Sequence, residues 1–314
     1  MVTHPHNAAF LFPGQGSQYT GMALDLYEAS AAVKKLFTLA SEILGRDMQK
    51  TLAESSEEEL KKTDTAQGAV TLANLAAATF LSERGITAAM TAGHSLGEYA
   101  ALCTAGVLSV EACFSLVGAR GRAMAANTSA PEGSGMMAVL GLDGEEVERL
   151  IAAWREDGLT ELHAANFNAK RQTVVSGTAA ALIEGERRFK EAGARRVLPL
   201  RVAGPFHSPL MQDASAAFAA FVQEQDFLDP KIPVFSNVTG CRIVSGAEAR
   251  ALAVRQITEP VRWTAVEAAL AALAPDAVFE AGPGKVLQGL WVDTGTPPPC
   301  RPAGKASDLS EPSG

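Results

Sequence analysis

Gly93-His94-Ser95-Leu96-Gly97 decides how the rest of this chain is read. Ahead of it, Gly85-Ile86-Thr87-Ala88-Ala89-Met90-Thr91-Ala92 has the apolar content of a short buried strand. Behind it, Glu98-Tyr99-Ala100-Ala101-Leu102-Cys103-Thr104-Ala105-Gly106 is rich in helix formers and ends on glycine. Strand, Gly-x-Ser-x-Gly and helix in succession make a nucleophile elbow. The glycines permit a turn too tight for side chains, which lifts the Ser95 hydroxyl clear. The helix N-terminus then presents free N–H groups beside it. An ordinary glycine turn with a serine N-cap uses the same five residues; the flanking pattern favours the elbow.

The chain around this turn has 314 residues, 47% hydrophobic and 20% charged, enough for a large core in one or two domains. A net charge of −8 argues against a nucleic-acid partner. Cys103, Cys113, Cys241 and Cys300 form no Cys-x-x-Cys pair and have no histidine at metal-ligand spacing, so neither a disulfide scaffold nor a zinc site is expected. The N-terminus has no basic-then-apolar leader, and no run reaches the roughly 18 apolar residues of a membrane span. A soluble cytoplasmic protein is the expectation.

Upstream, Ala8-Ala9-Phe10-Leu11-Phe12 is a candidate strand that runs into Pro13-Gly14-Gln15-Gly16-Ser17-Gln18. This glycine loop lacks the Gly-Lys-Ser/Thr ending of a phosphate loop. Helical patterns cover 22–39, 54–62 and 67–81, and Ser109 is a candidate N-cap for a helix that carries Arg120 and Met124 on one face. Ala130-Pro131-Glu132-Gly133-Ser134-Gly135 reads as a linker. Beyond it, strands at 136–142, 160–166, 173–176 and 196–202 alternate with helices at 144–156 and 179–192. That order is the βαββαβ of a ferredoxin-like unit. Then follow Gly204-Pro205-Phe206-His207-Ser208-Pro209, a helix at 210–224, a strand at 232–237, helices at 246–257 and 263–273, and a strand at 277–280. Gly282-Pro283-Gly284-Lys285 leads into a last helix, and the tail from Thr294 reads as loosely held.

A serine nucleophile needs a base. His4 and His6 lie near the terminus, His94 lies inside the elbow, and His163 alternates with apolar residues in a strand. His207, in a Gly/Pro-rich loop after a strand, is the best base by elimination. Its place is odd for an esterase, whose histidine comes late in the chain after an acid. Asp213 or a backbone carbonyl could orient it. Arg120 is a guanidinium in an otherwise apolar helix, either a snorkelling surface group, as its neighbour Arg122 is read, or a clamp for a substrate carboxylate. Between 170 and 201, Lys170, Arg171, Arg187, Arg188, Lys190, Arg195, Arg196 and Arg201 outnumber Glu184, Glu186 and Glu191. Such a run is usually a solvated face, and it would also suit an acidic partner.

Five motifs occur in one order: Phe12-Pro13-Gly14-Gln15-Gly16-Ser17-Gln18, Gly93-His94-Ser95-Leu96-Gly97-Glu98-Tyr99, Arg120-Gly121-Arg122-Ala123-Met124, Phe206-His207-Ser208-Pro209-Leu210-Met211 and Glu280-Ala281-Gly282-Pro283-Gly284. Together they resemble the malonyl-CoA:acyl carrier protein transacylases, over about 10–290. The resemblance implies an α/β-hydrolase-like core with a mostly parallel sheet, at 1–130 and 203–293, interrupted by a ferredoxin-like subdomain at 131–202. Residues 294–314 would be a loosely ordered tail. It implies Ser95 as nucleophile, His207 as acid/base, the backbone N–H groups of Gln15 and Leu96 as oxyanion hole, and Arg120 as holder of the malonyl carboxylate. The backbone carbonyl of Gln256 would orient the histidine, which accounts for the missing acid. Gln67, Met124 and Asn166 match pocket positions. The partners would be malonyl-CoA and acyl carrier protein, with no metal or bound cofactor, in fatty-acid synthesis, and the enzyme would act as a monomer.

Phe206, beside the base, should crowd a branched acyl chain and favour malonyl over methylmalonyl. A trans-acting acyltransferase of a polyketide synthase shares all these features. A serine hydrolase or thioesterase shares Ser95 and His207 but does not explain Arg120. A carrier-binding scaffold without catalysis would form no malonyl adduct.

Overall fold

The computed structural model describes residues 5–127 and 131–309; His4, Ala130 and residues 310–314 lie outside that range. After β1 (Ala8–Phe12) come five helices: α1 (Leu24–Ala29), α2 (Ala31–Leu44), α3 (Met48–Glu54), α4 (Glu57–Lys61) and α5 (Thr63–Ser82). Next are β2 (Ala88–Gly93), α6 (Gly97–Thr104) and α7 (Val110–Ala125). A second unit runs β3 (Gly135–Leu140), α8 (Gly144–Glu156), β4 (Leu162–Ala169), β5 (Gln172–Gly177), α9 (Ala179–Glu191) and β6 (Arg196–Pro199). The chain closes with α10 (Gln212–Val222), α11 (Gly246–Arg255), α12 (Trp263–Ala271), β7 (Ala277–Glu280), α13 (Val286–Asp293) and β8 (Cys300–Pro302).

The first sheet is parallel, in the order β2-β1-β7-β8. Ala8, Phe10 and Phe12 pack with Leu72, Ala76 and Phe114 from α5 and α7. Ala9 and Leu11 face the other way, onto Trp263 and Val266 of α12 and Leu287 of α13. Helices cover both faces, so β1 is apolar at every position rather than alternating. The second sheet is antiparallel, in the order β4-β5-β3-β6, with α8 and α9 as its crossovers. This is the ferredoxin-like arrangement the βαββαβ pattern predicts. Met137, Val139 and Val175 pack with Val147, Ile151 and Phe189. The opposite face sends Met136, Ala138 and Val174 into the large hydrophobic cluster of the parallel-sheet unit.

Four local expectations change. The helix expected over 22–39 breaks at Ser30, whose backbone is extended (φ −137°) and whose hydroxyl accepts from the Val33 N–H to start α2. The charged helix over 54–62 is the end of α3 plus α4, separated by the Ser56 capping box. The strand expected at 232–237 reduces to isolated bridges, Thr91 with Val234 and Phe235 with Arg242. Pro233 contributes a carbonyl to the Thr91 N–H at 2.9 Å but has no N–H to continue a ladder. The tail is not loose through residue 309. Cys300–Pro302 pairs with β7, and the Trp291 indole N–H donates to the Pro298 carbonyl at 2.9 Å. A buried Cys300 on the free edge of β7 supplies both the apolar contact and the backbone partners.

Candidate active site

The elbow is tight because three backbones meet. A Cβ on Gly93 would stand 2.0 Å from the Gly97 carbonyl group, and one on Gly97 would stand 2.0 Å from the Phe12 carbonyl oxygen. Glycine is required at both places by approach, and the turn leaves Ser95 in the left-handed region, at φ 49°.

Ser95 Oγ lies 2.7 Å from His207 Nε2, and His207 Nδ1 lies 2.7 Å from the Gln256 carbonyl oxygen. A carbonyl only accepts, so Nδ1 carries the proton and Nε2 faces the serine hydroxyl as an acceptor. The orienting group is thus a backbone carbonyl; Asp213 is exposed on α10 and makes no bond to the imidazole. Burial, reinforced by the nearby Arg120 guanidinium, pushes His207 down to about 3. It is therefore neutral and ready to take a proton across the physiological range.

Arg120 is fully buried on α7. Its Nη1 donates to Gln67 Oε1 at 2.7 Å, and its Nη2 to Gln256 Oε1 at 3.1 Å and to Ser95 Oγ at 3.4 Å. Those partners are neutral, and Nε has none among the described residues. The nearby Glu98 carboxyl is itself raised to about 7 by burial. A buried guanidinium without a carboxylate partner is costly, and it favours an incoming anion beside Ser95.

A cavity of about 240 Å³ opens over these groups. Gln15, Gln67, Ser95, Arg120, Met124, Asn166, Phe206 and His207 all line it, and Leu96 and Gln256 are not among its lining residues. Among the described residues, no hydrogen bond occupies the backbone N–H of Gln15 or Leu96. The Gln15 loop is fixed from below: Asn74 Nδ2 donates to the Pro13 carbonyl at 2.9 Å, and Gly282 packs where a Cβ would strike Asn74 and Pro13. A larger hollow of about 600 Å³ lies between α8, β4, α12 and α13, but it holds neither Ser95 nor His207.

Three residues escaped the sequence reading. Asn168 also lines the cavity, and its Oδ1 lies 2.8 Å from His94 Nε2, which turns His94 away from the serine. Ser176 Oγ, on β5, donates to the Phe206 carbonyl at 2.6 Å and fastens the His207 loop. Asn237 bonds the Ser95 backbone. Nothing in their sequence neighbourhood marks Asn168 or Asn237, which follow the polar Asn166 and Ser236 closely, and only Ser176 ends an apolar pair, Val174-Val175. Of the basic residues at 170–201, Arg187, Arg188 and Lys190 pair with glutamates on their own helix and Arg171 with Asp143. Arg155 Nη2 donates to His163 Nδ1 at 3.2 Å, and His163 does not line the cavity.

The acyl transferase domain family model matches residues 9–307. The malonyl CoA-acyl carrier protein transacylase of Bacillus subtilis (strain 168) is 41% identical over 284 residues, covering 90% of this chain and 88% of that protein. An acyl carrier protein S-malonyltransferase from Vibrio cholerae superposes with a TM-score of 0.90 at 35% identity, covering 96% of this chain and 98% of that one. A malonyl transacylase solved in complex with a type II PKS acyl carrier protein gives 0.89 at 36% identity, covering 96% and 97%.

Proposed function

This chain belongs to the malonyl-CoA:acyl carrier protein transacylase family, and from that premise we infer that it moves malonyl from malonyl-CoA to the phosphopantetheine thiol of acyl carrier protein. The observation that carries the reading is Arg120: a buried guanidinium with neutral partners, 3.4 Å from Ser95 Oγ. An ester hydrolase has no use for it; an acyl group ending in carboxylate does.

In the first half-reaction His207 Nε2 takes the Ser95 proton as Oγ attacks the thioester carbon. The oxyanion is held by the N–H groups of Gln15 and Leu96, each such donor worth about 3 kcal/mol of barrier. The C–S bond breaks and the CoA sulfur leaves with the proton from His207. In the second, His207 takes the proton of the carrier thiol, the sulfur attacks the malonyl-Ser95 ester, and Oγ recovers its proton on leaving. The Gln256 carbonyl holds the imidazole tautomer throughout. Gln67 and the Gln256 side chain aim Arg120 at the acyl carboxylate. Met124, Asn166 and Phe206 wall the acyl pocket, Phe206 against branched chains. A pinned acyl group in a closed pocket favours the thiol over water. The cycle uses no metal or bound cofactor, and we assign it to the cytoplasm, in fatty-acid synthesis, as a monomer. Among the described residues no helix is long and apolar enough to cross a membrane. Residues 1–130 and 203–293 form the catalytic unit of this reading and 131–202 its inserted subdomain. A polyketide carrier is the second reading, favoured by the relative solved with a type II PKS acyl carrier protein.

The test is intact-mass analysis after mixing with malonyl-CoA. A malonyl adduct is expected on the native chain and absent from Ser95→Ala, and it should pass to holo-carrier protein. CoA release without adduct or acylated carrier would overturn the reading.

A further inference from the structure

The strained backbone of Ser95 is held by side chains from distant parts of the chain. A residue with a Cβ in the left-handed region persists only where its surroundings fix it. The Ser95 N–H donates to Asn237 Oδ1 at 2.6 Å, and the Ser95 carbonyl accepts from Gln256 Nε2 at 3.1 Å. The same Asn237 amide donates through Nδ2 to the Gly93 carbonyl at 2.7 Å. One side chain therefore spans the elbow, accepting from its centre and donating to the end of β2. Asn237 is in turn fixed by its own main chain. Its N–H donates to Glu98 Oε2 at 2.7 Å, and its carbonyl accepts from the Arg262 N–H at 2.8 Å. The residue is fully buried, and all four of its polar groups are engaged.

We propose that Asn237 is a positioning residue for Ser95: its amide sets the serine backbone so that Oγ meets His207 Nε2 and the Leu96 N–H faces the acyl carbonyl. The inference rests on Ser95 being the acylated residue. The bond also takes the Ser95 N–H out of the pocket, leaving the next N–H along as the oxyanion donor. An amide alone supplies both halves of the brace. A carboxylate keeps the acceptor but loses the donor to Gly93 unless it is protonated, and alanine loses both. The charged groups near such a carboxylate would be Glu98 on α6 and, beyond it, Arg120 on α7.

The test uses rapid-quench intact-mass analysis of malonyl-enzyme formation in Asn237→Ala and Asn237→Asp, with thermal melts alongside. For Asn237→Ala an acylation rate about 100-fold below native is expected, with KM for malonyl-CoA within about threefold, since misplacing a reacting atom by about an ångström costs that much in rate. For Asn237→Asp the rate relative to native should fall as pH rises and the new acid loses the proton it donates to Gly93. Either variant folded and acylating Ser95 within about threefold of native across pH, or losing KM alone, overturns the proposal. Failure of both variants to fold overturns it too, by assigning Asn237 to stability. A native chain that forms no adduct on Ser95 would instead sink the acyltransfer reading.

Discussion

The two sheets follow opposite plans. The parallel sheet is buried on both faces, and its strand ends lead into the turns that build the site: the Gln15 loop after β1, the elbow after β2 and the glycine turn after β7 that packs beneath the Gln15 loop. The antiparallel sheet has its own small core on one face and gives the other to the pocket, through Met136, Asn166 and Val174. The parallel sheet thus positions Ser95 and the Gln15 and Leu96 N–H groups, the antiparallel sheet supplies walls and fasteners, and the loop that leaves β6 brings His207 to the serine. Turns at strand ends can present backbone N–H groups, whereas the flat of a sheet presents side chains alone.

If that division holds, substitutions on the parallel-sheet side should cost most. Ser95→Ala should lower turnover by at least about 10⁴-fold, as for other serine nucleophiles. Arg120→Ala should cost malonyl transfer about 10²- to 10³-fold, with acetyl transfer far less affected, because only malonyl uses the guanidinium. Equal losses in a competition assay of the two thioesters would remove Arg120 as the carboxylate holder. The pH profile of kcat/KM should stay level on the acid side through the ordinary imidazole value of 6.5, because burial holds His207 far below it. An acid limb at that ordinary value would contradict a buried neutral base. The same depression has a cost in stability. Between 6.5 and about 3 the unfolded chain binds the proton that the folded chain refuses, so this group lowers stability as pH falls through that window.

Smaller effects should come from the antiparallel side. Ser176→Ala removes the bond to the Phe206 carbonyl and should slow transfer only about fivefold, mostly in kcat, since one neutral hydrogen bond is worth about 1 kcal/mol. A loss as large as that of Arg120→Ala would mean the second sheet carries chemistry. Smallest of all, Arg201→Glu, beside the cavity-lining Leu200 and Val202, should raise KM for carrier protein a few-fold, about as expected for a rim charge. Arg187→Glu should not, because Glu184 and Glu191 already hold that charge.

Much of this was legible in the residues. The turn at 93–97 and the βαββαβ pattern rest on local composition and periodicity, which need no partner in view, and the elimination that left His207 rests on there being only five histidines. Arg120 stood out because a charge in an apolar helix face is costly unless used. Elements failed where the deciding partner was remote. The apolar run at 232–237 looks like a strand, yet Pro233 and the lack of a second neighbour reduce it to single bridges. The tail looks loose until β7 offers it an edge.

The sequence by itself determined which residue types could do the chemistry and which elements would carry them, because periodicity and turn composition are properties of neighbours along the chain. The tertiary structure decided the serine's aim. Asn237 and Gln256 lie 142 and 161 residues from Ser95, and Ser176 lies 30 from the loop it ties down. A single buried amide or hydroxyl leaves no periodic trace, and its meaning appears only when folding brings a donor within reach of the one carbonyl it must hold.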